Sequence, residues 1–233
     1  MVLCYPIYFL GALVVQNTSP GHIIKHSIEI FGFETGWKLF LTAFLKTLAF
    51  LILWILANYT YSRALVDISA AETTAIFSSN PAFVYLLSWI FLKETFSVLR
   101  ILSIVFSVAG IVLMAHAHGI TSFTFLGVIM AVLSALTAAV YKVGFKRLFG
   151  DASLGQVSFF MTSLGAMNLL INWPIAIGLI VGKIEIFIQI PWNFILGSSA
   201  LQLLFNFWLN FGVAITDAIF VSVGFFLGMP LNA

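Results

Sequence analysis

The sequence predicts an all-α protein that crosses a membrane many times, and three observations predict it. Hydrophobic residues make up 62% of the 233 and charged residues only 8%, where a soluble domain carries roughly 25% charged residues. Several runs exceed about 18 apolar residues, enough to cross a hydrocarbon core of about 30 Å. Lys and Arg gather in alternate connections between those runs. Backbone groups at membrane depth must pair internally, so helices are the economical reading of each run.

Eight candidate spans follow in order. The first, 1–16, reads "MVLCYPIYFLGALVVQ"; it lacks the basic region and small-residue cleavage site of a signal peptide, and is read as a short retained span. A hydrophilic connection, 17–38, precedes the second span, 39–62, which carries Lys46. The third, 72–92, opens on Glu72, meets Pro81 in mid-run and closes at Lys93-Glu94. Apolar runs at 99–116, 123–142, 155–181, 193–214 and 216–233 complete the set.

With eight spans, one side of the membrane receives Lys25, Lys38, Lys93, Arg100, Lys142, Lys146 and Arg147, and the other only Arg63 and Lys183. By the positive-inside rule, connections 17–38, 93–98 and 143–154 are cytoplasmic and both ends of the chain lie outside. Bare apolar ends on the outer side lead us to expect a further span at each end of a longer protein; the alternative is a genuine eight-span chain. An internal echo agrees with the longer protein. Asn58 and Asn206 each end a long span, Ala64 and Gly212 follow six positions later, a short polar turn comes next, and each new span meets a proline, Pro81 or Pro230. The two copies run in opposite directions, as in the inverted repeats of secondary transporters.

The segment "ETTAIFSSNPAFVYLLSWIFLKE" with "RILSIVFSVAGIVLMAHA" resembles the repeat signature of the drug/metabolite transporter (EamA-like) superfamily. Tyr141, Lys142, Lys146, Gly150, Gly165 and Asn168, together with "LNFGVAIT", are similar to the F branch of the solute carrier 35 family. The resemblance covers nearly the whole chain from about residue 39. It implies a drug/metabolite transporter fold of two inverted five-helix repeats, of which this chain holds about eight of ten spans: 1–116 as a first repeat lacking its first span, and 117–233 as a second lacking its last. It implies a secondary carrier in a plasma or endomembrane, moving a small organic solute by alternating access. Thiamine or a similar heterocyclic cation is the favoured substrate, with a nucleotide sugar or other metabolite as the alternative; a membrane protein that does not transport is a third reading. Where relatives carry Tyr-Pro after "AIT", this chain has Asp217-Ala218, which departs from the pattern at the start of the last span.

A carrier makes no covalent bond, so its candidates are polar groups within spans. The cavity candidates are Glu72, Asn58, Tyr61, Thr73, Ser79, Asn80, Tyr85, Lys46, Tyr141, Lys142, Asn206 and Asn210, with Pro81 and Pro230 as hinges. Each has a plainer reading. Glu72 suits a helix N-terminus through the dipole. Lys46 can snorkel to the interface, and Lys142 can serve only as a topology signal at its span end. The amides of Asn58, Asn206 and Asn210 can bond between helices, and Trp89 and the Tyr residues can be interfacial anchors or an aromatic wall for a cation. Ser78, Ser79 and Asn80 are placed to meet backbone groups freed by Pro81.

No nucleophile–base set, phosphate loop or zinc spacing is evident, so neither an enzyme nor a cofactor is predicted. Cys4 is the single cysteine, so no internal disulfide can form. The pairs His22/His26 and His116/His118 read as solvated loop residues, not metal ligands. The sequons at Asn17 and Asn58 lie in a cytoplasmic connection and at a membrane edge, where neither would be glycosylated. A net charge of +2 is too small to imply nucleic acid. The expected partners are the lipid bilayer, a small solute and, left open, a second copy of the chain.

Overall fold

A computed structural model describes residues 1–16, 19–32, 36–93, 98, 102, 105, 106, 109, 110, 122–182, 192–216 and 219–221. Among the described residues eight α-helices are assigned: α1 Cys4–Gln16, α2 Pro20–Ile28, α3 Trp37–Asp67, α4 Ala70–Phe77, α5 Asn80–Leu92, α6 Ser122–Phe149, α7 Leu154–Val181 and α8 Trp192–Ile215, with a 3-10 turn at Glu29–Phe31. Among the described residues, five helical segments are long and apolar enough to cross a membrane: Trp37–Asp67, Ala70–Leu92, Phe125–Phe149, Leu154–Pro174 and Trp192–Ile215. The predicted first span is a shorter apolar helix, Cys4–Val14. The predicted spans 99–116 and 216–233, and with them Pro230, His116 and His118, lie wholly or mostly outside the described residues.

Two differences from the predicted elements bear on the site. Connection 17–38, read as a hydrophilic loop, holds α2 and the 3-10 turn; Pro20 stands at the start of α2, where its missing N–H costs no helical bond. The span read as 123–142 runs on to Phe149. Lys142 is therefore two turns inside α6 rather than at its end, because Val143, Phe145 and Leu148 continue the apolar run beyond it.

The chain divides into two compact units, residues 1–51 with 152–215, and residues 52–151 with 216–233. In the second unit α6 packs against α4 and α5. Gly127, Ala131, Ala135 and Ala139 recur every fourth residue on α6, and the three alanines are fully buried. Small residues at this spacing let helix backbones approach closely. A Cβ on Gly127 would stand 2.9 Å from Ile68 Cγ2 and 3.0 Å from Asp67 Cβ, at the α3–α4 turn. At the far ends of α5 and α6, Arg147 donates to the Phe91 carbonyl at 2.9 Å and sits 5.3 Å from the Phe91 ring centroid. Ends pinned at both extremes make the α4–α5 span and α6 parallel, as the charge count requires of two spans that both run inward. Gly150 closes α6 in the left-handed region, φ 61°, its N–H bonded to the Lys146 carbonyl, the usual role of glycine past a helix end.

In the first unit α7 carries a similar seam. Thr162 Oγ1 accepts from Tyr5 N–H at 2.9 Å and lies within 3.2 Å of the Val2 carbonyl. Cβ atoms added at Gly155 or Gly165 would meet the Tyr8 ring or the Met1–Val2 backbone below 3 Å. Residues 1–8 thus run antiparallel to α7. A Ser153/Gln156 capping box opens α7, and Gln156 also donates to the His26 carbonyl of α2 at 3.2 Å.

Gly127→Val forces a branched side chain into the α3–α4 turn and is expected to cost about 1–3 kcal/mol. Gly197→Ala on α8, where an added Cβ meets nothing within 4 Å, should instead stabilise by about 0.5–1 kcal/mol. Thermal unfolding of the two purified variants in one detergent checks both signs.

Candidate functional site

The proline does not interrupt a helix. α4 ends at Phe77, and α5 begins at Asn80 with Pro81 as its second residue. There its missing N–H would be an orphan in any case. What the break does cost is carbonyl partners at the end of α4, and the small polar residues supply them. Ser78 N–H reaches the Thr74 carbonyl and Ser79 N–H the Ile76 carbonyl. The Ser78 hydroxyl donates to the Ala75 carbonyl at 2.5 Å, and the Ser79 hydroxyl to the Ile76 carbonyl at 2.7 Å. Both serines keep right-handed helical dihedrals, so the span continues in direction through a tightened turn.

Asn80 is released by that turn to point into the unit. It is fully buried. Its Nδ2 donates to the Ala135 carbonyl at 2.5 Å, and its Oδ1 accepts from Lys142 Nζ at 2.6 Å. Ala135 and Lys142 are seven residues apart on α6, which is two helical turns and hence the same face. One amide therefore ties α5 to α6 at two points. One residue before Ala135, the Ser134 hydroxyl donates to the Ala57 carbonyl of α3 at 2.8 Å. The result is a polar layer linking α3, α5 and α6 through an apolar interior.

Lys142 is 2% exposed. Removing an ammonium from water costs several kcal/mol even after relaxation, and a hydrogen bond to a charged group returns about 1.5–3 kcal/mol. Tyr85 and Tyr141 are buried as well, and so is Ser88, whose hydroxyl has no hydrogen-bond partner among the described residues.

The other candidates separate from this layer. Glu72 closes a capping box with Ser69: its Oε2 accepts from Ser69 N–H at 2.7 Å and from the Ser69 hydroxyl at 2.8 Å, while Glu72 N–H reaches Ser69 Oγ. Its plainer reading therefore accounts for the carboxylate. Thr73 is buried and donates to the Ser69 carbonyl. Tyr61 shares a hydrogen bond with Thr74 at 3.2 Å and meets the Phe77 ring edge-on at 5.5 Å. Asn58, Asn206 and Asn210 each donate to a carbonyl one turn back in their own helix, those of Trp54, Gln202 and Asn206. Lys46, Asn206 and Asn210 belong to the other unit, where Lys46 Nζ donates to the Phe31 carbonyl at 3.0 Å. Lys142, like Lys46, is therefore a cation within a span. In the last turn of α6, Lys146 Nζ meets Asp151 Oδ1 at 2.6 Å and the Thr216 carbonyl at 2.7 Å. That hydrogen bond and charge hold the Asp151 carboxyl below its ordinary range.

The sequence names Asn80 and Lys142 separately; their pairing across 62 positions has no local signal. Ala135 enters through its backbone, which no residue-type search finds. The four-residue spacing of Gly127, Ala131, Ala135 and Ala139 was the available pointer to a close helix contact there.

The profile of the EamA-like transporter family matches residues 7–115. That stretch, just under half of the chain, is similar to the EamA-like transporter family. The chain is also 38% identical to Solute carrier family 35 member F3 of Homo sapiens, over 99% of its own length and 56% of the relative's. It is 40% identical to Solute carrier family 35 member F4 of Mus musculus, over 91% of its length and 44% of the relative's. It spans about half the length of these relatives. No solved structure matches. The chain is an integral, multi-pass membrane protein whose sequence is similar to that of a transporter family.

Asn80→Leu removes the acceptor of a buried ammonium and is expected to destabilise the protein by about 2–3 kcal/mol. The double variant Asn80→Leu/Lys142→Met, which removes both partners, should recover most of that loss. A double-mutant cycle of thermal unfolding in detergent reads the coupling; additive losses would mean that the two side chains act independently.

Proposed function

We propose that this chain forms the core of a secondary carrier that moves a small organic solute by alternating access. The observation that carries the reading is the polar layer around Asn80 and Lys142, buried inside membrane-spanning helices of an EamA-like sequence. Ionisable side chains are rare at such positions and ordinarily mark a solute or ion pathway. The orphan hydroxyl of Ser88 adds a donor for a solute to meet. In this reading residues 1–116 and 117–233 belong to two inverted repeats of a ten-span carrier, and the serine-lined turn before Pro81 is where the third span flexes.

A heterocyclic cation such as thiamine is the leading substrate class, on the likeness to the solute carrier 35 F branch and on the aromatic rings of Tyr61, Tyr85 and Tyr141. A second reading has its own support: a buried Lys142 suits an anionic group, such as the phosphate of a nucleotide sugar.

Uptake into vesicles holding the purified protein separates these. Thiamine accumulation above empty vesicles supports the first reading, and exchange of a nucleotide sugar with no thiamine uptake supports the second. In either case Lys142→Met should lower the rate at least about tenfold, equivalent to about 1.4 kcal/mol. Glu72→Gln should leave it nearly unchanged, since Gln also completes a capping box. A folded protein that moves neither solute overturns both substrate readings.

A further inference from the structure

The first unit holds a second feature that the transport reading does not use. A crevice of about 370 Å³ opens beside the first half of α3. Its walls include Phe31, Leu39, Ala43, Phe44, Phe159 and Met167, and among the described residues its only side-chain polar atoms are the hydroxyls of Thr47 and Ser163. A charged or heavily hydroxylated solute would leave its own polar groups unmet there, at a cost of about 1–3 kcal/mol each. An alkyl chain would not.

The rim has the opposite character. Lys46 Nζ lies 3.0 Å from the carbonyl of Phe31, a wall residue, so an ammonium stands at the crevice wall. Lys38, beside the wall residue Leu39, is exposed. α2 presents His22, Lys25 and His26 outward while Ile23 and Ser27 are buried, so Lys25 adds a further exposed cation on this side. Glu29 is the one acid among the described residues of 19–50. Trp37 is 74% exposed and stacks on Phe40 at 5.4 Å, an indole suited to headgroup level. The charge count puts this rim on the cytoplasmic side, whose leaflet carries anionic lipid.

We propose that the crevice seats one acyl chain of an anionic phospholipid whose headgroup phosphate meets Lys38 and Lys46. The seat differs from the lipid contact that any span makes in being concave and in being rimmed by cations.

The test uses the whole chain in vesicles containing either phosphatidylserine or phosphatidylcholine with a photoreactive acyl chain. Labelled positions are mapped by peptide mass spectrometry, with α8 as the internal reference for bulk lipid. The proposal expects labelling of 39–47 and 159–167 above that of α8, and higher for phosphatidylserine. Ala43→Phe, which fills the crevice, should bring it down to the α8 level. Ala43→Leu serves the same purpose should the larger residue prevent folding. Lys38→Gln and Lys46→Gln should each reduce the preference for phosphatidylserine by about fivefold while leaving α8 labelling unchanged. Labelling equal to that of α8, or insensitive to Ala43→Phe and Ala43→Leu in folded protein, overturns the seat. Equal labelling by the two lipids overturns the headgroup contact.

Discussion

The bond from Lys142 to Asn80 is the constraint on which the second unit depends. An ammonium cannot be buried in an apolar bundle unless an acceptor is held against it. Asn80 is such an acceptor, and it is held because its own amide is spent on the Ala135 carbonyl two turns earlier on the same helix. For that geometry α5 must start at Asn80 and α6 must come close. The tightened turn at Ser78-Ser79 does the first, and the small residues of α6 do the second. The turn, the seam and the buried cation thus depend on one another.

The proline illustrates how a residue's meaning depends on where a helix begins. In a helix interior Pro81 would break a hydrogen bond at a cost of about 3 kcal/mol. In the first turn of α5 it breaks none. The conformational demand falls on the end of α4, where the Ser78 hydroxyl takes up the Ala75 carbonyl and the Ser79 hydroxyl adds a second bond to the Ile76 carbonyl beside the Ser79 N–H. Such a junction keeps backbone groups satisfied while being short of regular i to i−4 bonds, which is a reasonable place for a membrane helix to bend.

The two units divide their polar groups differently. In the second, hydrogen bonds between helices run through the apolar interior, at Asn80, Lys142 and Ser134. In the first, the long-range bonds gather where α7 meets the start of α1 and the end of α2, and its crevice is lined almost wholly by hydrocarbon. A solute pathway belongs with the former chemistry and a lipid contact with the latter.

Much was legible in the sequence because it rests on period, length and charge. Apolar runs long enough to cross a bilayer, the side on which Lys and Arg collect, and the likeness to EamA-like carriers are all local properties. Ser78 and Ser79 could be read as partners for freed carbonyls because they neighbour the proline. Lys142 was misplaced because a cation looks like the end of a span, and only the continuing apolar run, packed in three dimensions, carries α6 past it. Glu72 showed the reverse: its capping partner Ser69 is three residues away, so the plainer of its two readings was already on the page. The pairing of residues 80, 135 and 142, and the crevice beside α3, were decided by the tertiary structure alone. Hydrogen-bond partners far apart in sequence are chosen by which backbones come close, and that depends on how every side chain between them packs.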